Sequence, residues 1–203
     1  TFSSRKEPDS MRHRMLVCAH CDLAYANPIP DIAWLQKNYV SAWFESSEES
    51  QWAAKNHSRL LDRVLGNLPD RAGALDIGTG DGAFLKVLLQ RGFTNVEGVE
   101  PSVAPIRKAS KEVQGMIVHD FFDGDNYESK KYSIVTCFQV LEHVHDLVPL
   151  ACSVYRMLKP GGYFLTNSHD YRAWTARTFR ERSPIFDIEH VQLLSRTSLR
   201  NLF

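Results

Sequence analysis

From about residue 73 onward, short apolar runs alternate with segments whose apolar residues recur at helical spacing. Five strands are predicted, at 74–77, 95–100, 115–119, 132–138 and 161–167. Helices are predicted at 83–91, 102–113 and 141–158, the last of them interrupted near Pro149, and Ser102 is placed to cap the second. Strands that alternate with helices indicate right-handed crossovers. The predicted fold is therefore α/β and doubly wound, with a mainly parallel sheet and helices on both faces.

The first part of the chain has a different residue pattern. An amphipathic helix is predicted at 58–68 and should either pack on the sheet or cover its pocket. Before it lie a Cys-x-x-Cys sequence, the Pro-rich stretch 27–30 and the polar stretch 45–50, together with four aromatic residues, Trp34, Tyr39, Trp43 and Phe44. We therefore predict two parts, an N-terminal module or lid over 1–55 and a ligand-binding domain over 56–203.

Composition narrows the function classes. The 203 residues carry 24 Lys and Arg against 24 Asp and Glu, which weighs against nucleic acid and membrane as main partners. No apolar run approaches the roughly 18 to 20 residues of a spanning helix, and the polar N-terminus is unlike a signal peptide. Four unevenly placed cysteines do not form a disulfide framework. These features favour a cytoplasmic protein with reduced thiols, and they leave its oligomeric state open.

Three glycines, two residues apart, occupy the predicted turn from the first strand into its helix: Gly78, Gly80 and Gly82. Without Cβ atoms, such a loop lets a ligand approach the backbone, and the helix start presents free N–H groups. Glu100 closes the next strand, where a carboxylate can accept both hydroxyls of a ribose. Two kinds of ligand group fit this arrangement: the pyrophosphate of a dinucleotide, or a group that carries an ammonium. Asp76 beside the loop favours the second, because a carboxylate attracts an ammonium group and repels a phosphate.

The sequence at 75–82 resembles motif I of the class I S-adenosylmethionine-dependent methyltransferases. Further stretches resemble that family's later motifs in order and spacing: 96–102, 119–121, 132–144 and 158–162. The resemblance implies the Rossmann-like methyltransferase fold and S-adenosylmethionine as cofactor. It also implies a set of cofactor-binding residues, namely Tyr39, Asp76, Gly78, Thr79, Gly80, Glu100, Pro101, Asp120, Phe121 and Gln139.

The same resemblance raises expectations about the end of the chain. Family members close the sheet with two further strands after residue 167, and Phe203 comes too early for both. The fold is thus expected to lack its last strands, with another segment or chain covering the exposed sheet edge. The first residue is Thr, and 199–203 has the pattern of a helix cut short, so a processed or trimmed chain is expected.

Cys18 and Cys21 resemble one half of a zinc ribbon, as found ahead of this fold in small-molecule methyltransferases that include sugar C-methyltransferases. A ribbon needs two such pairs to give zinc four ligands, so a metal-free pair is expected here. The resemblance points to a small-molecule acceptor, such as a sugar or sugar nucleotide.

In those relatives a Glu-His segment like Glu189-His190 lies over the methyl group, which makes His190 the candidate general base. Four arginines are available to bind an anionic substrate or to form a solvated surface, Arg172, Arg177, Arg180 and Arg182.

Some O-methyltransferases of the ubiquinone-pathway type carry Glu-x-x-Glu-His after the fourth strand, to bind a divalent cation. This chain has Gln139 at the first acidic position, so metal assistance is not expected, and Glu142 and His143 are predicted to begin the next helix. Two other functions stay open: a non-catalytic cofactor-binding or interaction protein on the same fold, and a nicotinamide-dependent oxidoreductase that binds NAD.

Overall fold

The computed structural model describes residues 3–4, 11–40, 43–44 and 47–203. In chain order its strands are β1 (Ser3–Ser4), β2 (Met15–Val17), β3 (Ala24–Ala26), β4 (Trp43–Phe44), β5 (Ala72–Ile77), β6 (Thr94–Val99), β7 (Ile117–Val118), β8 (Tyr132–Phe138), β9 (Leu158–Asn167) and β10 (Gln192–Leu193). Five of them form one parallel sheet in the order β7-β6-β5-β8-β9. The predicted doubly wound α/β fold is confirmed.

The helices are α1 (Ile32–Val40), α2 (Ser47–Val64), α3 (Ala83–Gln90), α4 (Val103–Lys108), α5 (Leu147–Met157), α6 (Trp174–Phe179) and α7 (Arg196–Leu202). The predicted interruption near Pro149 is the start of α5: a short 3-10 helix covers Leu141–His143, and Asp146 then caps α5 by accepting from the amide of Val148 at 3.1 Å. Pro149 is tolerated there because the first turn of a helix has no partners for its N–H groups.

Two predicted helices have wrong bounds. The helix predicted at 102–113 is only the six-residue α4, and the hydroxyl of Ser102 makes no capping bond. The helix predicted at 58–68 begins at Ser47, where Glu48 and Glu49 favour a helix N-terminus through the helix dipole. The predicted division between residues 55 and 56 falls within α2, and the two-part organisation stays a prediction.

The core lies on both faces of the sheet. Leu75 and Val135, on neighbouring strands, pack with Met157 of α5 on one face. Ala74 and Ile134 point the other way and pack with Leu88 of α3 and with α2. This alternation with period two covers both faces, which fixes the register of the strands and hence the positions of the loops that follow them.

The N-terminal strands are joined to the last part of the chain. Strands β2 and β3 form an antiparallel hairpin, and β3 also pairs with β10, with Tyr25 opposite Gln192. In the turn of this hairpin, the carboxylate of Asp22 accepts from the hydroxyl of Tyr171 at 2.8 Å and from the guanidinium of Arg172. These contacts attach the hairpin to β10 and to the segment that follows β9.

Within the described residues, β9 forms one edge of the sheet, and α7 approaches it through Phe203, whose ring centroid lies 5.0 Å from that of Phe164. None of the described helices combines the length and the apolar character that crossing a membrane requires.

The turn after β5 depends on one close approach. Gly78 has a φ of 72°, and a Cβ atom at this position would overlap the Cγ2 atom of Val140, which follows β8. Gly80 also has a positive φ, of 59°, but a Cβ atom there would meet no atom within 4 Å.

This difference between the two glycines predicts unequal costs of substitution. Gly78→Ala should lower the free energy of unfolding by about 2–4 kcal/mol, because it combines backbone strain with overlap. Gly80→Ala, the matched control, should cost about 1 kcal/mol from the left-handed conformation alone. Urea unfolding without added ligand measures both, and equal losses would contradict the close approach.

Candidate functional site

A cavity of about 790 Å³ lies at the carboxyl ends of the central strands, where ligands bind in open α/β sheets. The loops after β5, β6 and β8 meet there. Ten of the residues singled out in the sequence line the cavity, namely Tyr39, Asp76, Gly78, Thr79, Gly80, Glu100, Pro101, Phe121, Gln139 and His190.

Glu100 joins the glycine loop to the end of β6. Its side chain is buried, one carboxylate oxygen accepts from the amide of Gly80 at 3.0 Å, and the other accepts from the amide of Ser102 at 2.8 Å. Burial raises the pKa of Glu100 to about 7, although both amides favour the ionised form. Each oxygen keeps a further lone pair, so the carboxylate can accept hydroxyl donors from a ligand as well.

Asp76 is the buried acid at the end of β5. Its Oδ1 accepts from the hydroxyl of Thr136 at 2.6 Å, and burial raises its pKa to about 6. Thr136 lies directly opposite Asp76 in the parallel ladder between β5 and β8. A cationic group that entered the cavity beside Asp76 would therefore meet a fixed carboxylate.

Gln139 shows backbone strain at the tip of β8. Its φ is 56°, a conformation that costs a non-glycine residue free energy, and its amide donates to the carbonyl of Asn167 at 2.7 Å. The side chain is exposed to the cavity.

The charges around the cavity have one sign. Among the described residues that line it there is no Lys and no Arg. The acidic residues in the lining are Asp76, Asp81, Glu100, Asp123, Asp125, Asp146, Asp187 and Glu189. Such a lining favours a cationic ligand and disfavours a pyrophosphate.

Three imidazole rings of the cavity lining lie close together, and we call His143, His169 and His190 the histidine cluster. The ring centroid of His190 lies 4.8 Å from that of His143 and 5.4 Å from that of His169. Nδ1 of His190 lies 2.7 Å from the carbonyl oxygen of Ile185. Because a carbonyl only accepts, this Nδ1 carries the hydrogen and Nε2 keeps its lone pair.

Tyr39 of α1 reaches the same place. Its hydroxyl donates to the carbonyl of Glu189 at 2.8 Å and also contacts Nδ1 of His143, which lies 3.0 Å from that carbonyl. Burial raises the pKa of Tyr39 well above its usual range, so the hydroxyl stays protonated. Burial and the neighbouring His190 lower the pKa of His143 to about 4, and burial also lowers the pKa of His169.

Three predicted site residues do not line the cavity. Asp120 is exposed, and its carboxylate accepts from the adjacent amide of Phe121 at 2.7 Å. Cys18 and Cys21 lie in the turn between β2 and β3. In the described part of the chain, no group of three or more His, Cys, Asp or Glu side chains is arranged to hold a metal ion. The adenine role of Asp120 stays a prediction, and so does the expectation that the pair Cys18 and Cys21 holds no zinc.

Three residues of this site are not predicted by the sequence motifs: Thr136, His143 and His169. The available signal for Thr136 is a hydroxyl in an apolar strand next to the strand of Asp76. His143 was assigned to a helix start and His169 was given no role, because only the tertiary structure brings them to His190.

A family model described as a methyltransferase domain matches residues 48–203. The ubiquinone biosynthesis O-methyltransferase of Klebsiella pneumoniae (strain 342) is 28% identical over 151 residues, which cover 66% of this chain and 62% of that protein. The chain thus spans about three fifths of the length of this curated relative.

Two solved structures are similar in fold. The Haloferax volcanii complex between the Trm112 methyltransferase activator and a methyltransferase matches with a TM-score of 0.58 and 18% identity, covering 77% of this chain and 71% of that one. Phosphoethanolamine N-methyltransferase 2 of Haemonchus contortus, in complex with S-adenosyl-L-methionine, matches with a TM-score of 0.51 and 20% identity, covering 71% and 35%. The family match covers about three quarters of the sequence, and the glycine loop and Glu100 lie within it. The chain therefore belongs to the methyltransferase-domain family, with the fold of the class I S-adenosylmethionine-dependent methyltransferases.

Proposed function

We propose that this chain binds S-adenosylmethionine in the 790 Å³ cavity and transfers its methyl group to a hydroxyl group of a small, non-phosphorylated molecule. The observation that carries the proposal is a glycine loop fixed to a buried Glu100 in a cavity whose described lining has eight acidic residues and no Lys or Arg. A nucleoside that carries a positive charge matches this combination.

The residues present fit this cofactor. Glu100 would accept the ribose hydroxyls, Asp76 would face the amino group, and the backbone of Gly78 and Gly80 would lie against the ligand, with open space above Gly80. Phe121 would flank the adenine ring. When bound, S-adenosylmethionine supplies an electrophilic methyl group on a positively charged sulfonium.

Charge separates this proposal from a nicotinamide-dependent oxidoreductase. NAD carries a doubly charged pyrophosphate, which the fold would hold at the glycine loop. Here that loop lies between Asp76, Asp81 and Glu100, and no Lys or Arg lines the described cavity. The histidine cluster argues against a purely binding role, because holding the cofactor does not require three adjacent imidazoles in the cavity lining.

The histidine cluster supports O-methylation, which is also the reaction named for the Klebsiella relative. A hydroxyl must lose its proton when it is methylated, and His190 offers a free Nε2 for it. The lowered pKa values of His143 and His169 keep those two rings neutral, so His190 is the member of the cluster that would take the proton.

The lining also bears on the acceptor. A sugar nucleotide would bring phosphates into a cavity with no described cation, whereas an uncharged phenol or sugar would not. Of the four arginines considered for anion binding, Arg172 is bound to Asp22 and, with Arg177, lines a separate recess beside Tyr171. We therefore propose an acceptor without phosphate groups.

Calorimetry tests the cofactor. S-adenosylhomocysteine should bind at micromolar concentration and NAD should not. 5′-Methylthioadenosine, which lacks the amino-acid part, should bind about tenfold more tightly at pH 8 than at pH 6, because Glu100 must be ionised to accept both ribose hydroxyls and its pKa is about 7.

Glu100→Gln should weaken methylthioadenosine binding and remove its pH dependence, and the surface control Glu112→Gln should do neither. Binding of NAD with no binding of S-adenosylhomocysteine would refute the proposal. An unchanged affinity in Glu100→Gln would refute the ribose assignment.

A screen with methyl-labelled S-adenosylmethionine against phenols, catechols and sugars tests the base. For the acceptor found, His190→Gln should lower kcat by about 10²–10⁴-fold and leave affinity for S-adenosylhomocysteine unchanged. With a phenol the loss should shrink at high pH, where the acceptor ionises by itself. His20→Gln, outside the cavity, is the control. Undiminished turnover of His190→Gln would remove His190 from the mechanism.

A further inference from the structure

Glu142 holds the segments that carry the histidine cluster. Its side chain is completely buried, and Oε1 accepts from the hydroxyl of Ser168 at 2.8 Å and from the backbone amide of His169 at 2.5 Å. Its own carbonyl accepts from the amide of Val191 at 3.0 Å, next to His190, and His143 follows it in the chain. One buried acid is thus bonded to, or adjacent to, each of the three segments.

Hydrogen bonding alone does not account for a carboxylate at Glu142. Its second oxygen, Oε2, is buried and has no hydrogen-bond partner in the described structure. A buried carboxylate oxygen without a partner costs free energy, and a neutral side chain of the same shape could accept the same two hydrogen bonds. The negative charge therefore needs an explanation of its own.

The histidine cluster supplies that explanation. A proton placed on one of three adjacent imidazoles creates a buried positive charge, which is unfavourable without a counter-charge. The segments of His169 and His190 are hydrogen-bonded to Glu142. The first is bonded to its carboxylate and the second, through Val191, to its backbone carbonyl. If Glu142 is ionised, the net charge of Glu142 and the histidine cluster together is zero when one ring is protonated.

We propose that Glu142 is an electrostatic positioning residue: it remains ionised in the folded protein, and its buried charge allows the histidine cluster to hold one proton. The inference rests on the proposed function in one respect, that this proton is the one released by the acceptor hydroxyl and taken at Nε2 of His190. Glu142 itself touches neither cofactor nor acceptor, because it does not line the cavity.

Other titratable groups also affect the protonation of the histidine cluster or of Glu142. Those from the packed elements are Tyr39 of α1, Cys137 of β8, and Asp187 and Glu189 of the segment before β10. Tyr39 and Cys137 stay neutral because burial raises their pKa values. The carboxylate of Glu142 accepts from the backbone amide of His169, and that of Asp187 accepts from the amide of Glu189, beside His190.

NMR titration of the histidine Cε1–H signals tests the proposal without any acceptor. Glu142→Gln keeps an oxygen for Ser168 and His169 but removes the charge, so the highest pKa in the histidine cluster should fall by about one unit or more. Asp62→Asn, which removes a carboxylate paired with Arg91 on the surface of α2, should leave these signals within about 0.2 units as the matched control. An unchanged titration in Glu142→Gln would overturn the proposal.

A second measurement needs no variant and covers the case in which Glu142→Gln does not fold. In wild-type protein labelled with ¹³Cδ-glutamate, the Glu142 carbonyl signal should have the shift of a carboxylate at pH 7. A protonated Glu142 at pH 7 would overturn the proposal. A shift of this signal on addition of Mg²⁺ alone would also do so, because the charge would then serve a metal. Neither experiment involves S-adenosylmethionine, so their failure is distinguishable from a failure of S-adenosylhomocysteine to bind.

Discussion

The site depends above all on the hydrogen bonds of one buried carboxylate. Glu100 directly follows β6, and its oxygens accept from amides on both sides, Gly80 in the loop after β5 and Ser102 at the start of α4. These bonds fix the glycine loop against the neighbouring strand and keep an acid buried where its charge is costly. A ligand that donates hydroxyl groups to Glu100 would repay part of that cost, which couples the shape of the loop to ligand binding.

The rest of the cavity has the same electrostatic character as the surroundings of Glu100. Asp76 adds a second buried acid, and the described lining offers no Lys or Arg to offset either one. A positive charge on a bound nucleoside would meet complementary surroundings. The histidine cluster and Glu142 combine rings that accept protons with a buried acid, so this part of the site suits a different chemical task from the glycine loop.

The parts of this protein that were predictable from sequence are those that local spacing encodes. The glycine loop and Glu100 could be assigned because a strand, a turn and the next strand end follow one another within a short stretch. The pairing of Tyr25 with Gln192 could not, since it joins ends of the chain with no shared periodicity. His143 came to the cavity for a similar reason: a short 3-10 helix and the contact with the segment of His190 place it there, and neither leaves a signal in the sequence.

The central claim is that Glu100 holds the ribose of an S-adenosyl ligand while the glycine loop stays in the conformation described. A crystal structure of the complex with S-adenosylhomocysteine at pH 8 is the most direct test. The account predicts both ribose hydroxyls within hydrogen-bonding distance of the Glu100 carboxylate, with Gly78 and Gly80 against the ligand. A ligand bound elsewhere, with Glu100 still contacting only the amides of Gly80 and Ser102, would contradict it.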